Sequence, residues 1–352
     1  MSALRYAVVV PTLGRPSLTA CLAALADSAG PPPDHVVLVD DRPLSDCGPL
    51  PLDVPAALSD RLSVVPGCGN GPAAARNAGW RAVTEPWVAF LDDDTVPGPT
   101  WAADLERDLA AASPRTAGVQ GRIDVPLPSG RRPTDWERAT AGLATARWIT
   151  ADMAYRRAAL VEVGGFDERF RRAFREDADL ALRLLNAGWQ LTRGERSTTH
   201  PVRPADAWVS LRQQAGNADD VLMNRLHGRD WWRRAGAPRG RLPRHLATTA
   251  AAAGALIAAG TGRRREAAAL AGCWLLGTAE FAAARIAPGP RTRAEVRAML
   301  LTSALIPLAA SRHWAGGQLR YRRVPSWAAL APGPSGPAVG TPDGPVTAEL
   351  SG

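Results

Sequence analysis

From Arg5 to about Trp189, short β-branched runs alternate with Ala/Leu-rich stretches of helical period. A chain with that alternation folds as α/β, an open and mostly parallel sheet covered by helices. Tyr6–Val10 is the first run, and a helix follows from about Pro16 to Ser28. Val36–Val39 is a second strand that ends on Asp40 and Asp41, and Leu62–Val65 a third. Pro72–Ala82 reads as a helix, and Trp87–Leu91 as a strand that ends on Asp92, Asp93 and Asp94. Parallel sheets bind ligands beyond the carboxyl ends of their strands, so both acidic clusters fall where a site is expected.

Beyond Arg203 the pattern changes to Ala-rich helix with three apolar stretches, His245–Thr261, Ala267–Ala284 and Ala298–Ser311. The first is 17 residues long, short of the ~20 that span a bilayer. The second contains Glu280 and the third Pro307, which favours helices lying on a membrane surface, or a helical lid or dimer interface of a soluble protein, over helices crossing a bilayer. The last 29 residues hold six Pro and five Gly, a composition that predicts disorder. The expected organisation is an α/β domain over 1–205, a helical, basic, membrane-associated segment over 206–323, and a disordered tail over 324–352.

Composition narrows the chemistry. All 42 basic residues are Arg, so mechanisms that need a lysine amine are excluded: P-loop NTPase, protein kinase, Schiff-base and PLP chemistry. Charge is uneven, with 22 Arg against 25 acids in residues 1–200 and 20 Arg against 7 acids in residues 201–323. The basic block, with Trp231 and Trp232 beside Arg229, Arg233 and Arg234, suits an anionic membrane surface better than base-by-base reading, and no nucleic acid partner is expected. Four scattered Cys (Cys21, Cys47, Cys68, Cys273) show neither zinc nor disulfide spacing. With an N-terminal apolar run too short for a signal peptide, the expected location is cytoplasmic, at the cytoplasmic face of the membrane.

The motif richest in chemistry is FLDDDTVP, Phe90–Pro97, a buried strand delivering three carboxylates to a loop. Clustered oxygen ligands suit Mn²⁺ or Mg²⁺, which keep coordination positions open for substrate phosphates. The bland alternative is an acidic turn that caps the helix Thr100–Ala112. The Asp-x-Asp-x-Val string is also similar to haloacid-dehalogenase-like phosphatases, but that family holds phosphate with a downstream Lys and this chain has none.

Four further strings accompany it in order: AVVVPTLGRP, VVLVDD, GPAAARNAGW, and GGFDERF followed by FREDADLALRLLNAGW. Together they resemble the family 2 glycosyltransferases of the GT-A fold, inverting enzymes that use nucleotide-diphosphate sugars. The resemblance covers roughly residues 5–200. It implies donor contacts from Pro11, Thr12, Asp40, Asp41, Arg76, Asp92 and Asp93, with nucleobase and ribose near Thr12 and Asp40 and the Arg76 guanidinium near the diphosphate. It implies a metal at Asp92 and Asp94, the DxD motif, neutralising charge on the leaving diphosphate, with His200 as a third ligand. It also implies that Asp177 deprotonates the acceptor hydroxyl, with Glu176 its neighbour or an acceptor contact. Read without the resemblance, Glu176 and Asp177 are helix-start acids, Arg76 a surface ion pair and His200 a surface residue. Asp152 stands where many members carry Asn, which leaves acceptor-side hydrogen bonding open.

The implied reaction is metal-dependent inverting sugar transfer from a UDP-, dTDP- or GDP-sugar to an acceptor that is lipid-linked or a secondary metabolite. Two readings from other classes stand beside it. A sugar-phosphate nucleotidyltransferase would need a Gly-rich loop and a Lys, and PTLGRP supplies neither. A non-catalytic, membrane-surface nucleotide-sugar-binding protein would keep the fold without the reaction.

Overall fold

The computed structural model describes residues 4–43, 45 and 48–327. Cys47 and most of the expected tail, from residue 328, lie outside the described residues.

The α/β part is built from β1 (Tyr6–Thr12), α1 (Ser17–Asp27), β2 (His35–Asp40), β3 (Leu62–Pro66), α2 (Pro72–Arg81), β4 (Trp87–Leu91), β5 (Val96–Pro97), α3 (Trp101–Ala110), β6 (Thr116–Asp124), α4 (Asp135–Ala141), β7 (Asp152–Arg156), α5 (Arg157–Val163), α6 (Glu176–Asn186) and β8 (Gln190–Thr199). Helices follow: α7 (Val209–Arg212), α8 (Gly216–His227), α9 (Trp231–Arg234), α10 (Leu242–Gly260), α11 (Arg264–Ile286) and α12 (Arg293–Arg320).

The strands form one sheet in the order β3-β2-β1-β4-β7-β6-β8-β5. β1 pairs in parallel with β2 and β4, β2 with β3, and β6 with β8, while β7 runs antiparallel to both neighbours and β5 antiparallel to β8. The sheet is therefore mixed with parallel pairs in the majority, the GT-A-type α/β architecture that the resemblance implies, followed by helices. Side chains alternate across each strand, and both faces are covered. Val8, Val10, Val36, Leu38, Ala89 and Leu91 pack under α1 and α3, with Leu18, Leu22, Trp101 and Leu105. Their neighbours Val9, Val37, Val39, Val88 and Phe90 pack on the opposite face, against Ala73, Trp80, Leu180 and Leu184 of α2 and α6. Burial on both faces explains why these strands are continuous apolar runs. Gly79 lets α2 lie close on β1, because a Cβ there would stand 2.3 Å from a Val9 methyl.

Antiparallel β7 places its first residues at the edge where β4 ends, with Asp152 opposite Leu91. That edge therefore collects the ends of β1, β2, β4, β6 and β8 and the start of β7. A third cluster, Phe170, Leu182, Val221, Leu222, Met223, Leu226, Trp231 and Tyr321, joins α6 to α8, α9 and the end of α12. The three expected apolar stretches are α10, α11 and α12. By length and composition α11 and α12 could each cross a membrane, with 6% of the α11 window and 33% of the α12 window buried in the protein.

Candidate functional site

A cavity of about 580 Å³ opens at the carboxyl edge of the sheet. Pro11, Thr12, Asp41, Arg76, Asp92, Asp93, Asp94, Glu176, Asp177 and His200 all line it, so residues separated by up to 189 positions converge. Asp40 is turned instead to Arg42, accepting from Nε at 2.9 Å and Nη2 at 2.7 Å. Those bonds hold its carboxyl below the ordinary value.

At the end of β1 and β2, Asp41 faces the loop that starts α2. Its carboxylate accepts from the amides of Asn70 and Gly71, both at 3.0 Å. Burial nevertheless pushes its carboxyl up. Gly71 has φ 91° and a Cβ there would meet the Arg171 carbonyl at 2.5 Å, so glycine is required where this loop turns into the helix. Pro72 then opens α2 at the first helical position, where its missing N–H costs nothing.

The three aspartates after β4 do different work. Asp93 accepts from Thr12 Oγ1 at 2.8 Å and from Arg15 Nη1 at 2.7 Å, tying the ends of β1 and β4 together. Asp92 accepts from Arg76 Nη2 at 2.9 Å and its side chain remains 31% exposed. Asp94 accepts from Arg203 Nε at 2.8 Å and lies 3.7 Å from His200 Nε2. Burial and the Asp92 charge raise the Asp94 carboxyl, against the pull of His200 and Arg203. Asp92, Asp94 and His200 each offer a ligand atom, and these atoms lie within 4.8 Å of one another. Two carboxylates and an imidazole fit a hard or borderline divalent cation, and such a cation would offset the mutual repulsion of Asp92 and Asp94.

Arg76, on α2, is 3% exposed and joins the two acidic groups. Nη1 donates to Glu176 Oε1 at 3.0 Å and lies 4.0 Å from Asp177 Oδ1, while Nη2 holds Asp92. Burial opposes its charge, yet Asp92, Asp177 and Glu176 together keep the guanidinium above its ordinary value. Next to Arg76, Asn77 bonds both ways to the Phe166 backbone, fixing the GGF turn to α2. Glu176 is 2% exposed, and burial and the Asp177 charge raise its carboxyl despite Arg76. Asp177 keeps 20% of its side chain exposed. It accepts from Thr150 Oγ1 at 2.8 Å and the Thr150 amide at 3.1 Å, and burial raises its carboxyl also. The site holds more carboxylates than cations in a partly dry place, the arrangement that raises carboxyl pKa values.

Four contributors lay outside the sequence reading: Thr150, Arg15, Arg203 and Arg175. Arg175 precedes α6 with φ 77°, a strained conformation for a residue with a Cβ. Its guanidinium bonds Asp220 at 2.7 Å and stacks on Phe174 and Trp231, which locks the start of α6. Only its place before the Glu-Asp pair could have marked it. Asp152 does not line the cavity: Trp101 and Thr198 donate to one oxygen and Arg196 to the other, inside the core. The lining also includes apolar side chains, Trp136, Leu143, Ile149, Phe174 and Pro238.

Comparison with known proteins gives the family of the chain. Residues 7–162 match the model of glycosyl transferase family 2, and residues 87–276 that of glycosyl transferase family group 2. The pre-mycofactocin glycosyltransferases of two Mycobacterium tuberculosis strains are 36% identical over 137 residues, 35% of this chain. The match spans only 28% of the length of those relatives. Among solved structures, GalNAc-T7 with UDP, GalNAc and Mn²⁺ aligns at TM-score 0.42 and 16% identity, over 57% of this chain and 44% of that one. A mycobacterial protein aligns at TM-score 0.41 and 17% identity, over 68% and 77%, and S. aureus TarS at 0.37 and 16%, over 65% and 41%.

Proposed function

Because the chain belongs to glycosyl transferase family 2 and is a glycosyltransferase, we propose that it transfers a sugar, with inversion, from a nucleotide-diphosphate donor to an acceptor hydroxyl at the carboxyl edge of its sheet. The observation that carries this reading is the meeting of Asp92, Asp94 and His200 with Asp177 around the buried Arg76.

Asp92, Asp94 and His200 would hold Mn²⁺ or Mg²⁺, which when bound supplies positive charge to the departing diphosphate. Pro11, Thr12 and Asp41 form the nucleoside end of the cavity. Arg76 offsets part of the carboxylate charge that crowds it, at the place where the diphosphate would lie. Asp177 is the base: it is the carboxylate of the pair that stays open to the cavity, and Thr150 fixes its orientation. Glu176 is sealed behind it and holds Arg76 in place. A positioned base contributes on the order of 10²–10⁴ in rate.

The apolar lining residues from Trp136 to Pro238 suit an amphipathic or lipid-linked acceptor. We assign the glycosyltransferase domain to residues 1–205, since β8 ends at Thr199 and only helices follow among the described residues. The helical segment would attach it to the cytoplasmic face of a membrane in the plane of the surface. α12 packs on α7 and α8, and Arg285 of α11 binds Asp135 of α4 at 2.8 Å. The α10–α11 turn carries Arg263, Arg264 and Arg265, a charged tip that resists crossing a bilayer.

The test is a panel of nucleotide sugars with Mn²⁺ or Mg²⁺, with chelator, and with synthetic lipid-linked acceptors. Metal-dependent release of nucleotide diphosphate and a product of inverted anomeric configuration are expected. Equal turnover in chelator, or a retained configuration, would overturn the reading.

A further inference from the structure

Away from the active cavity, a second hollow of about 330 Å³ lies between the loop before α6 and the last turns of α12. Six of its lining side chains are basic: Arg169, Arg171, Arg172, Arg312, His313 and Arg320. Two of the arginines are already matched, Arg169 by Asp167 and Arg172 by Asp219. Arg171 reaches only the neutral Asn70 Oδ1, at 3.2 Å, and Arg320 stacks on Tyr321. Arg312 has no hydrogen bond or ion pair among the described residues. The carboxylate that lines the hollow, Asp219, is bonded to Arg172 and also feels the Arg320 charge, so the lining holds five guanidinium charges against one carboxylate. Burial and the charges of Arg312 and Arg172 also hold the His313 imidazole below its ordinary value.

The α12 backbone makes room for a ligand. A Cβ at Gly317 would stand 2.9 Å from the Ala218 Cα, so glycine lets α12 approach α8, whereas a Cβ at Gly316 would meet nothing within 4 Å. Immediately before this hollow, α12 shows an exposed apolar stripe of Leu300, Leu301, Leu305 and Leu308. Leu301, Leu305, Leu308 and Arg312 recur at three- and four-residue intervals, so Arg312 ends the stripe and borders the hollow.

We infer that this hollow binds the phosphate of an anionic lipid headgroup while the adjoining leucine stripe enters the acyl boundary. Arginine forks match phosphate oxygens, and an apolar stripe ending in arginine is the pattern of a helix lying in the interface. The inference rests on the membrane reading above and adds to it a defined headgroup site that orients the catalytic cavity.

The experiment is flotation of the full chain with phosphatidylcholine vesicles, with and without phosphatidic acid, and with inorganic phosphate as competitor. Wild type should float only with phosphatidic acid. Arg312→Gln with Arg320→Gln should weaken that binding roughly 30-fold, since each basic residue near an anionic surface contributes about 1 kcal/mol. Gly316→Glu, which places a carboxylate in open space, should weaken it as well, and both variants should keep wild-type donor turnover and melting temperature. Titration with short-chain phosphatidic acid should raise the His313 pKa, followed by NMR. Equal flotation with neutral vesicles would leave the membrane reading intact and overturn the headgroup site; flotation with neither would overturn both. Phosphatidic acid binding that ignores all these substitutions, or inorganic phosphate that binds as tightly as the vesicles, would also overturn it.

Discussion

Glu176 and Asp179 lie three residues apart on α6 and are both buried, yet their carboxyl groups are displaced in opposite directions. Burial acts on each in the same sense, towards the neutral form. Asp179 overcomes it because Arg183 donates to one oxygen at 2.8 Å and His227 Nε2 lies 2.7 Å from the other. Glu176 has one cation, Arg76, and shares it with Asp92 and Asp177. Where cations match carboxylates the charges hold the fold together; where carboxylates are in excess, the protein has left charge for a ligand to answer.

The sharpest way to break this comparison is to remove one group from each region. Asp177→Asn should lower kcat by at least ~10²-fold with donor affinity little changed, because the shape persists and only the proton acceptor is lost. If Glu176→Gln gave that loss and Asp177→Asn did not, the base would be Glu176.

On the structural side, His227→Ala should cost about 1–3 kcal/mol by leaving Asp179 short of a partner, measured by denaturant unfolding. Asp179 is displaced downward, so its contribution is present above the ordinary carboxylate range and is lost as pH falls through its lowered value. Wild-type stability should drop on that acid limb, and the drop should be shallower in His227→Ala. An unchanged unfolding midpoint would show that the His227 contact with Asp179 contributes nothing to stability.

Glu176 carries the opposite sign and the smaller effect. Its folded value is raised, so the folded state holds a proton that the unfolded chain has released, and stability should decline as pH rises from the ordinary carboxylate range to that raised value. Glu176→Gln should flatten the decline and gain about 1 kcal/mol at neutral pH, where one pKa unit is worth about 1.4 kcal/mol. A variant less stable than wild type at every pH would show that the bond Glu176 makes with Arg76 outweighs the cost of burying its charge.

Much of this was readable in the chain because the strand patterns are strong and local. Apolar runs that end on Asp40–Asp41 and Asp92–Asp94 announce parallel strands and their ligand-binding edge, and β1, β2 and β4 stand within two residues of expectation at each end. The converging residues could be brought together only through the ordered motifs, since nothing local in Arg76 points to Glu176, 100 positions away. The Asp93 bonds to Thr12 and Arg15, the Thr150 clamp on Asp177 and the Arg203 contact with Asp94 stayed hidden for the same reason. Each is a side-chain contact between distant loops, which periodicity does not encode. Asp152 shows the converse: a carboxylate at a suggestive position is absorbed by Arg196, whose sequence setting, GERSTT, gives no sign of burial.

The central claim is that the acidic excess at the strand ends is a cation site, and counting bound Mn²⁺ tests it most directly. Titration followed by electron paramagnetic resonance, in the presence of a nucleoside diphosphate, should find one Mn²⁺ per wild-type chain. Asp94→Ala should abolish that binding with the melting temperature retained, while Asp179→Asn, once shown folded, should bind as wild type does. Mn²⁺ binding that survives Asp94→Ala undiminished, or none in the wild-type protein, would contradict the claim.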